Sequence, residues 1–379
     1  MILSPNFFNR LVLILVTVLI FLSGCSTVND PVIRVTTNES PVIDKTPLIA
    51  VLPFYNLSGT KAPLQDIRRS LINSLKDAGL NILDDNVLEE FITRHRIRYT
   101  GGIDSVNAEA LGKETRAETV LITSLELYSE MAPPKIAFTS RLVSVGSNLS
   151  ILWMKGIGLA GDDSPGMLGL GLIENFQILL EKAIKQLSAS LSGYLASQKG
   201  KIDSSRGKFG PKVSYRSPVI APELKYRIAV LPFINFSERK KAGEIISLNF
   251  VRQFAAYENF DSIEPGEIRQ SLLRFRIIMD DGLSLPDADL LFRNLDADLI
   301  LTGKIMDYQD YQGIAGKTKV DFSTLLIERK SREVVWSSKS YNEGDDGVYF
   351  FDLGRVNTAQ VMASEMAHQV VEMIVEKTH

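Results

Sequence analysis

Few residues in this chain are of a type and spacing that could do chemistry. Among its 379 residues there is one cysteine, Cys25, and three histidines, His95, His368 and His379. A lone thiol excludes an intramolecular disulfide and a cysteine-built zinc site, and three dispersed histidines are a poor ligand set for a metal centre. Gly156-Ile-Gly158-Leu-Ala-Gly161 matches the glycine string that cradles a dinucleotide, with a helix expected after it. It stands at the end of a fifth strand rather than a first, and no acidic residue ends a further parallel strand about twenty residues on to bind a ribose. A glycine-rich strand exit is the ordinary reading, with a nucleotide-dependent enzyme as the weaker alternative. Asp84-Asp85, Asp162-Asp163, Asp280-Asp281-Gly282 and Asp345-Asp346-Gly347 lack the oxygen spacing of a calcium loop and suit turns. His368 lies within a helix pattern, His379 is at the end of the sequence and His95 is not repeated, so no Ser-His-Asp constellation can be assembled. These residues predict no enzyme, no cofactor and no metal.

Two polar sets recur. Asn56 and Ser58, with Asn235 and Ser237, follow short apolar runs and form candidate recognition loops, although such side chains also close Asx and Ser turns on their own backbone. Arg94, Arg96 and Arg98, with Arg274 and Arg276, mark basic helix ends. Cations there complement the helix dipole at ~0.3–1 kcal/mol each, which suffices to explain them, and contact with an anionic partner is the functional alternative.

Cys25 has a different context. Residues 1–9 are uncharged, Arg10 is basic and Leu11–Leu22 is apolar except for Thr17. A dozen residues span ~18 Å as a helix, short of the ~30 Å hydrocarbon core, so the segment predicts a cleaved signal rather than a transmembrane anchor. Leu22-Ser23-Gly24-Cys25 resembles the lipobox of bacterial lipoproteins. That resemblance implies acylation of Cys25, attachment to a membrane through three acyl chains and, with Ser26 rather than Asp next, the periplasmic face of the outer membrane. Residues 25–46 are rich in Ser, Thr, Asn, Asp and Pro and predict a tether.

The elements that must position the remaining candidates are written twice. Length alone predicts about two domains, and 45% hydrophobic residues suffice for packed cores. With 42 basic against 45 acidic residues, the balance argues against nucleic acid as a partner. Ile49-Ala-Val-Leu-Pro-Phe54-Tyr-Asn56-Leu-Ser58 returns as Ile228-Ala-Val-Leu-Pro-Phe233-Ile-Asn235-Phe-Ser237, 179 residues on. Arg94-His-Arg96-Ile97 returns as Arg274-Phe-Arg276-Ile277, Ala117-Glu-Thr-Val-Leu121 as Ala297-Asp-Leu-Ile-Leu301, and Trp153 as Trp336. Each copy reads β-α-β-α-α-β-β-β-α: a strand buried on both faces and ended by Pro-Phe, three helices, a three-strand meander and a long closing helix. The closing helices are expected over about 167–195, with Leu172 in the apolar stripe, and about 353–376. The fold class is therefore α/β, two tandem mixed-sheet domains at 47–196 and 225–379. A signal occupies 1–24, and a solvated linker is expected over 197–224.

The Ile-Ala-Val-Leu-Pro-Phe-x-Asn-x-Ser strand exit, the Ala297–Gly303 stretch and the strand ending in tryptophan, taken with the lipobox, resemble the CsgG/TolB-N-terminal-like superfamily of bacterial envelope lipoproteins. Its members serve assembly, export and activation rather than catalysis. The resemblance implies a lipid-anchored, protein-binding accessory of envelope assembly or secretion whose partners are other envelope proteins. An oligomeric ring or channel for export is the alternative, with a homo-oligomer as its consequence. Glu130–Lys135, Gly146–Asn148 and the polar Asp310–Thr318 loop are too short or too polar for membrane hairpins, which argues against a self-made pore.

Overall fold

A computed structural model of the chain describes residues 46–146, 148–163, 171–197, 209–221, 223–310, 316–346, 348 and 355–375. The signal segment, Cys25, the tether up to residue 45, Ser147, Gly347 and His379 lie outside the described residues, as do the expected starts of both closing helices.

In the first half, β1 (Ile49–Val51) and β2 (Tyr55–Asn56) precede α1 (Leu64–Asp77), α2 (Asp85–Arg94) and α3 (Ser105–Thr115). Then come β3 (Thr119–Ser129), β4 (Lys135–Ser144), β5 (Ile151–Ala160) and α4 (Phe176–Ser197). β1 and β2 pair parallel with one edge of β3, and β4 and β5 continue antiparallel from the other. Alternation along β1 sends Ile49 and Val51 to a core with α1 and α4, and Ala50 to one with α2 and α3. This is why the strand is apolar throughout. Asp84 and Asp104 begin α2 and α3 by accepting from Asn86 N (2.9 Å) and Asn107 N (3.0 Å), which satisfies N–H groups that a helix start leaves orphaned.

The second half contains β6 (Val213–Arg216), β7 (Tyr226–Val230), β8 (Ile234–Asn235), α5 (Ala242–Phe254), β9 (Phe260–Ser262), α6 (Pro265–Phe275) and α7 (Leu285–Leu295). β10 (Leu299–Gln309), β11 (Lys319–Glu328), β12 (Val334–Glu343) and α8 (Ala359–Val375) complete it. Its seven-stranded sheet runs β6-β12-β11-β10-β7-β9, with β8 beside β10. One face packs on α5 and α8, the other on α6 and α7. The molecule is thus mixed α/β with two mixed sheets.

Three expectations change. Residues 209–221 are not a solvated linker: β6 pairs antiparallel with β12, and Phe209 and Ile220 are buried in the second core. A pairing strand there occupies backbone groups that β12 would otherwise leave open at the sheet edge. The second strand of the β-α-β-α-α-β-β-β-α order is, in the first half, a single bridge, Ile49 with Ile82, whereas β9 in the second half is a strand. Leu172 is 44% exposed and precedes α4, which starts at Phe176.

Candidate functional site

The two halves meet along a seam where polar groups are buried. On β4, Arg141 is fully buried and forms a bidentate pair with Glu264, donating from Nε to Oε2 at 2.8 Å and from Nη2 to Oε1 at 2.6 Å. Nη2 also donates to Gly101 O at 2.7 Å. Burial disfavours the guanidinium charge, but the Glu264 carboxylate outweighs it and the Arg141 pKa is raised. Glu264 caps α6, so one carboxylate starts a helix of the second half and neutralises a strand arginine of the first. Beside it the backbones touch: a Cβ on Gly266 would stand 2.3 Å from Ile103 N and O, and one on Gly102 would stand 2.7 Å from Gly266 N.

Further along, Glu126 sits at the β-bulge of β3 and is 1% exposed. Burial pushes its carboxyl up to about 7, against the opposing pull of Thr139, Arg252 and Arg239. Arg239 also donates to Glu126 O. Lys241 donates to the Tyr55 hydroxyl at 2.8 Å and lies over its ring at 4.2 Å, and Arg269 lies over Tyr99 at 4.3 Å. At the other end Asn357 donates to Asp162 O at 3.3 Å and to Asp163 Oδ1 at 3.4 Å.

The glycine string serves this seam. Gly156 and Gly158 lie within β5, where a Cβ would overlap the Arg252 guanidinium and the side chains of Gln360 and Val361. Small residues let α5 and the start of α8 approach the sheet, so the glycines carry packing rather than a phosphate.

Against the seam opens a cleft of 310 Å³, floored by Leu52, Phe91 and Ile103 and rimmed by Arg96, Arg98 and Arg269. Of the arginines expected at helix ends, Arg96 and Arg98 enter this cleft. Arg94 instead pairs with Glu114 at 2.7 Å, and Glu114 also holds His95 Nε2 at 2.7 Å. Arg274 lies 5.7 Å from the ring centroid of Phe275. Arg96 and Arg276 have φ of 52° and 53° at the ends of α2 and α6. There Ile97 N and Ile277 N reach back to Ile92 O and Leu272 O, so each arginine pair ends a helix in a Schellman-type turn.

The polar loops are engaged with themselves. Asn56 Oδ1 accepts from Ser58 N (2.9 Å) and Ser58 Oγ (2.6 Å) while its Nδ2 donates to Thr60 O. Asn235 does the same with Ser237 N (3.1 Å), Ser237 Oγ (2.6 Å) and Arg239 O. Of the paired carboxylates, Asp84 caps α2, Asp85 pairs with Arg68, and Asp345 pairs with Lys317 at 2.8 Å. Among the described residues no group of three or more His, Cys, Asp or Glu side chains is placed to hold a metal ion, and no helix is long and apolar enough to cross a membrane. Residue patterning marks Glu264-Pro265 as a helix start but misses the pairing of Glu264 with Arg141 and the burial of Glu126. Their only signal is a charge at a mid-strand position in an otherwise apolar or small-residue stretch, or at a helix start.

No protein-family model matches the chain, and no curated protein does. Solved structures resemble parts of it. The PelC dodecamer from Paraburkholderia phytofirmans is 17% identical over 44% of this chain and 97% of its own, with a TM-score of 0.31. Lipoprotein GNA1162 from Neisseria meningitidis is 20% identical over 38% and 99%, with a TM-score of 0.27. The LpoB C-terminal domain from Salmonella enterica is 14% identical over 33% and 87%, with a TM-score of 0.25. Likenesses this low decide neither function nor partner.

Proposed function

We propose that the protein is a non-catalytic accessory of the bacterial cell envelope, anchored by acyl chains on Cys25 to the periplasmic face of the outer membrane, whose body binds other envelope proteins. In this reading the body is one α/β unit present twice, 47–196 and 225–379, with the second copy extended by the β6 segment. The observation that carries the binding role is the seam cleft. Three arginines around an apolar floor suit an acidic, partly apolar protein segment. Tyr99, Asp104 and His95 line it as well; Asp104 caps α3 and His95 is held by Glu114, so both are already engaged within the first half.

Two experiments test the reading. Growth with a clickable palmitate analogue is expected to label the protein, and Cys25→Ser to remove the label and release the protein from membranes. An unlabelled, membrane-bound wild type would refute the anchor. A photoreactive residue at Arg98 in intact cells is expected to capture an envelope protein, with capture reduced by Arg96→Glu and Arg269→Glu together.

A further inference from the structure

We infer that the seam between the halves is a proton-controlled latch: Glu126 keeps the halves together while its carboxyl is neutral, and its ionisation lets the seam part and the cleft come apart with it. The effect on the cleft rests on the binding role proposed above; the parting of the seam does not.

The two sheets distribute charge the wrong way round for permanent packing. Asn56 pairs with Leu125 as Asn235 pairs with Ile305, so Glu126 at the bulge of β3 corresponds to Met306 at the bulge of β10. Leu125 faces Phe138 as Ile305 faces Phe322, which sets Arg141 against Leu325. In the second half, where this face is open, Met306 and Leu325 are 54% and 40% exposed. In the first half, where α5 and α8 close it, the same positions hold a glutamate and an arginine at 1% and 0%. Polar contacts of this kind belong to interfaces between units that move, whereas cores are apolar. Met306 also shows that the bulge itself has no need of a carboxyl.

Arg141 is accounted for by Glu264, but Glu126 has no such partner. Neither of its carboxyl oxygens takes a hydrogen bond of normal geometry within the protein, and the same holds for Ser124 Oγ, Thr139 Oγ1 and Gln360 Nε2. Ser124 pairs with Thr139 and Thr139 with Gly156, so these groups share one row across the sheet that ends under Arg252 of α5. All of them gain hydrogen bonds from water when the seam parts.

The charges nearest the carboxyl are committed elsewhere. Arg252 donates to Ser364 Oγ and to Asn249 Oδ1 at 3.4 Å, and Arg239 donates to the backbone oxygens of Glu126 and Lys240. The Tyr308 phenol acts on it from β10, with Asp310 and Lys135 behind, while Gln360 and Val361 of α8 bring no charge to the seam. Burial outweighs Thr139 and the two guanidiniums and holds the Glu126 carboxyl at about 7. Asp310 is raised by burial as well and acts in the same direction.

A parted seam returns the Glu126 carboxyl to its ordinary 4.5. Between pH 4.5 and about 7 the parted form has lost its proton while the closed form keeps it, so parting grows with pH, by about 300-fold in all, and levels off above 7. Parting separates Arg96 and Arg98 of the first half from Arg269 of the second, and the cleft is lost.

The test reads thiol access in the full chain carrying Cys25→Ser, which removes the one native thiol. Ser124→Cys places a probe in the seam, and Ser188→Cys places one in α4, which packs on the opposite face of that sheet. Both serines are buried, and neither hydroxyl takes a hydrogen bond within the protein. Reaction with a methanethiosulfonate reagent is followed from pH 5 to 8, in chains with and without Glu126→Gln. The two chains share the thiol and Asp310, so the ratio of their rates isolates Glu126. For the seam probe this ratio is expected to rise at least about tenfold between pH 5 and 7.5 and then to level. At pH 7.5 the seam probe should also react at least about tenfold faster than the α4 probe, because the halves part before either unfolds. A flat ratio overturns the inference, as do equal rates at the two probes, which report global unfolding instead. A flat ratio in a chain that still captures envelope proteins through position 98 sinks the latch and leaves the accessory role standing.

Discussion

Replacing Arg141 by alanine strips a fully buried carboxylate, Glu264, of its counter-ion, and breaking such a pair typically costs ~3–5 kcal/mol. Urea denaturation should show a loss of that size. Arg141→Leu with Glu264→Gln removes both charges and should recover most of it, since no buried charge is then left unpaired. Glu126 makes a prediction of opposite character. Its folded pKa of about 7 exceeds the ordinary 4.5 because burial penalises the charge. Below pH 4.5 the carboxyl is protonated in both states. Between 4.5 and about 7 only the folded chain keeps the proton, so this group's contribution to stability falls as pH rises, by on the order of 3 kcal/mol in all. Glu126→Gln should therefore unfold later than the parent above pH 7 and alike below pH 4.5, as followed by thermal melts across that range. Neither group announces itself in the sequence. An arginine or glutamate within a strand reads as solvent-facing until the element that covers it is known.

At the scale of elements, most of the fold was legible. Ile49-Ala-Val-Leu-Pro-Phe and its return marked both central strands, because a strand packed on two faces has no polar side to alternate with. The meander strands followed from their turn residues, and two helix ends from the Arg-x-Arg repeat. β6 was not legible: Val213-Ser-Tyr-Arg is a short polar edge strand among Lys, Gly and Pro, and its pairing is decided by a distant edge. The glycine string marks a strand exit in the sequence, while its physical cause, the approach of α5 and α8, belongs to residues some 100 to 200 positions away. The seam gives the matching prediction. Gly266→Ala places a methyl 2.3 Å from the Ile103 backbone, which cannot be relieved by a side-chain rotation. We expect a loss of ~1–3 kcal/mol and earlier proteolysis between the halves, measured by urea titration and limited digestion. Gly193→Ala in α4, which meets nothing within 4 Å, should be neutral or slightly stabilising in the same assays.

At the scale of the molecule, two sheets that share an order of elements differ in what covers them. One sheet face is closed by the neighbouring half, and its counterpart is open and apolar. The closed seam fixes a cleft with three arginines, while the counterpart face stays exposed. Neither surface could be read from composition, whose near-neutral balance of 42 basic against 45 acidic residues hides how the charges are placed. Binding at the cleft should weaken with salt if the arginines act on an acidic segment, because exposed charges are screened beyond ~8–10 Å at physiological ionic strength. The most direct measurement of the binding role is photocrosslinking in intact cells from position 98, with mass spectrometry of the adducts. The predicted result is an envelope protein captured through an acidic segment, lost with Arg96→Glu and Arg269→Glu. Adducts unchanged by those substitutions, or none at all, would contradict it.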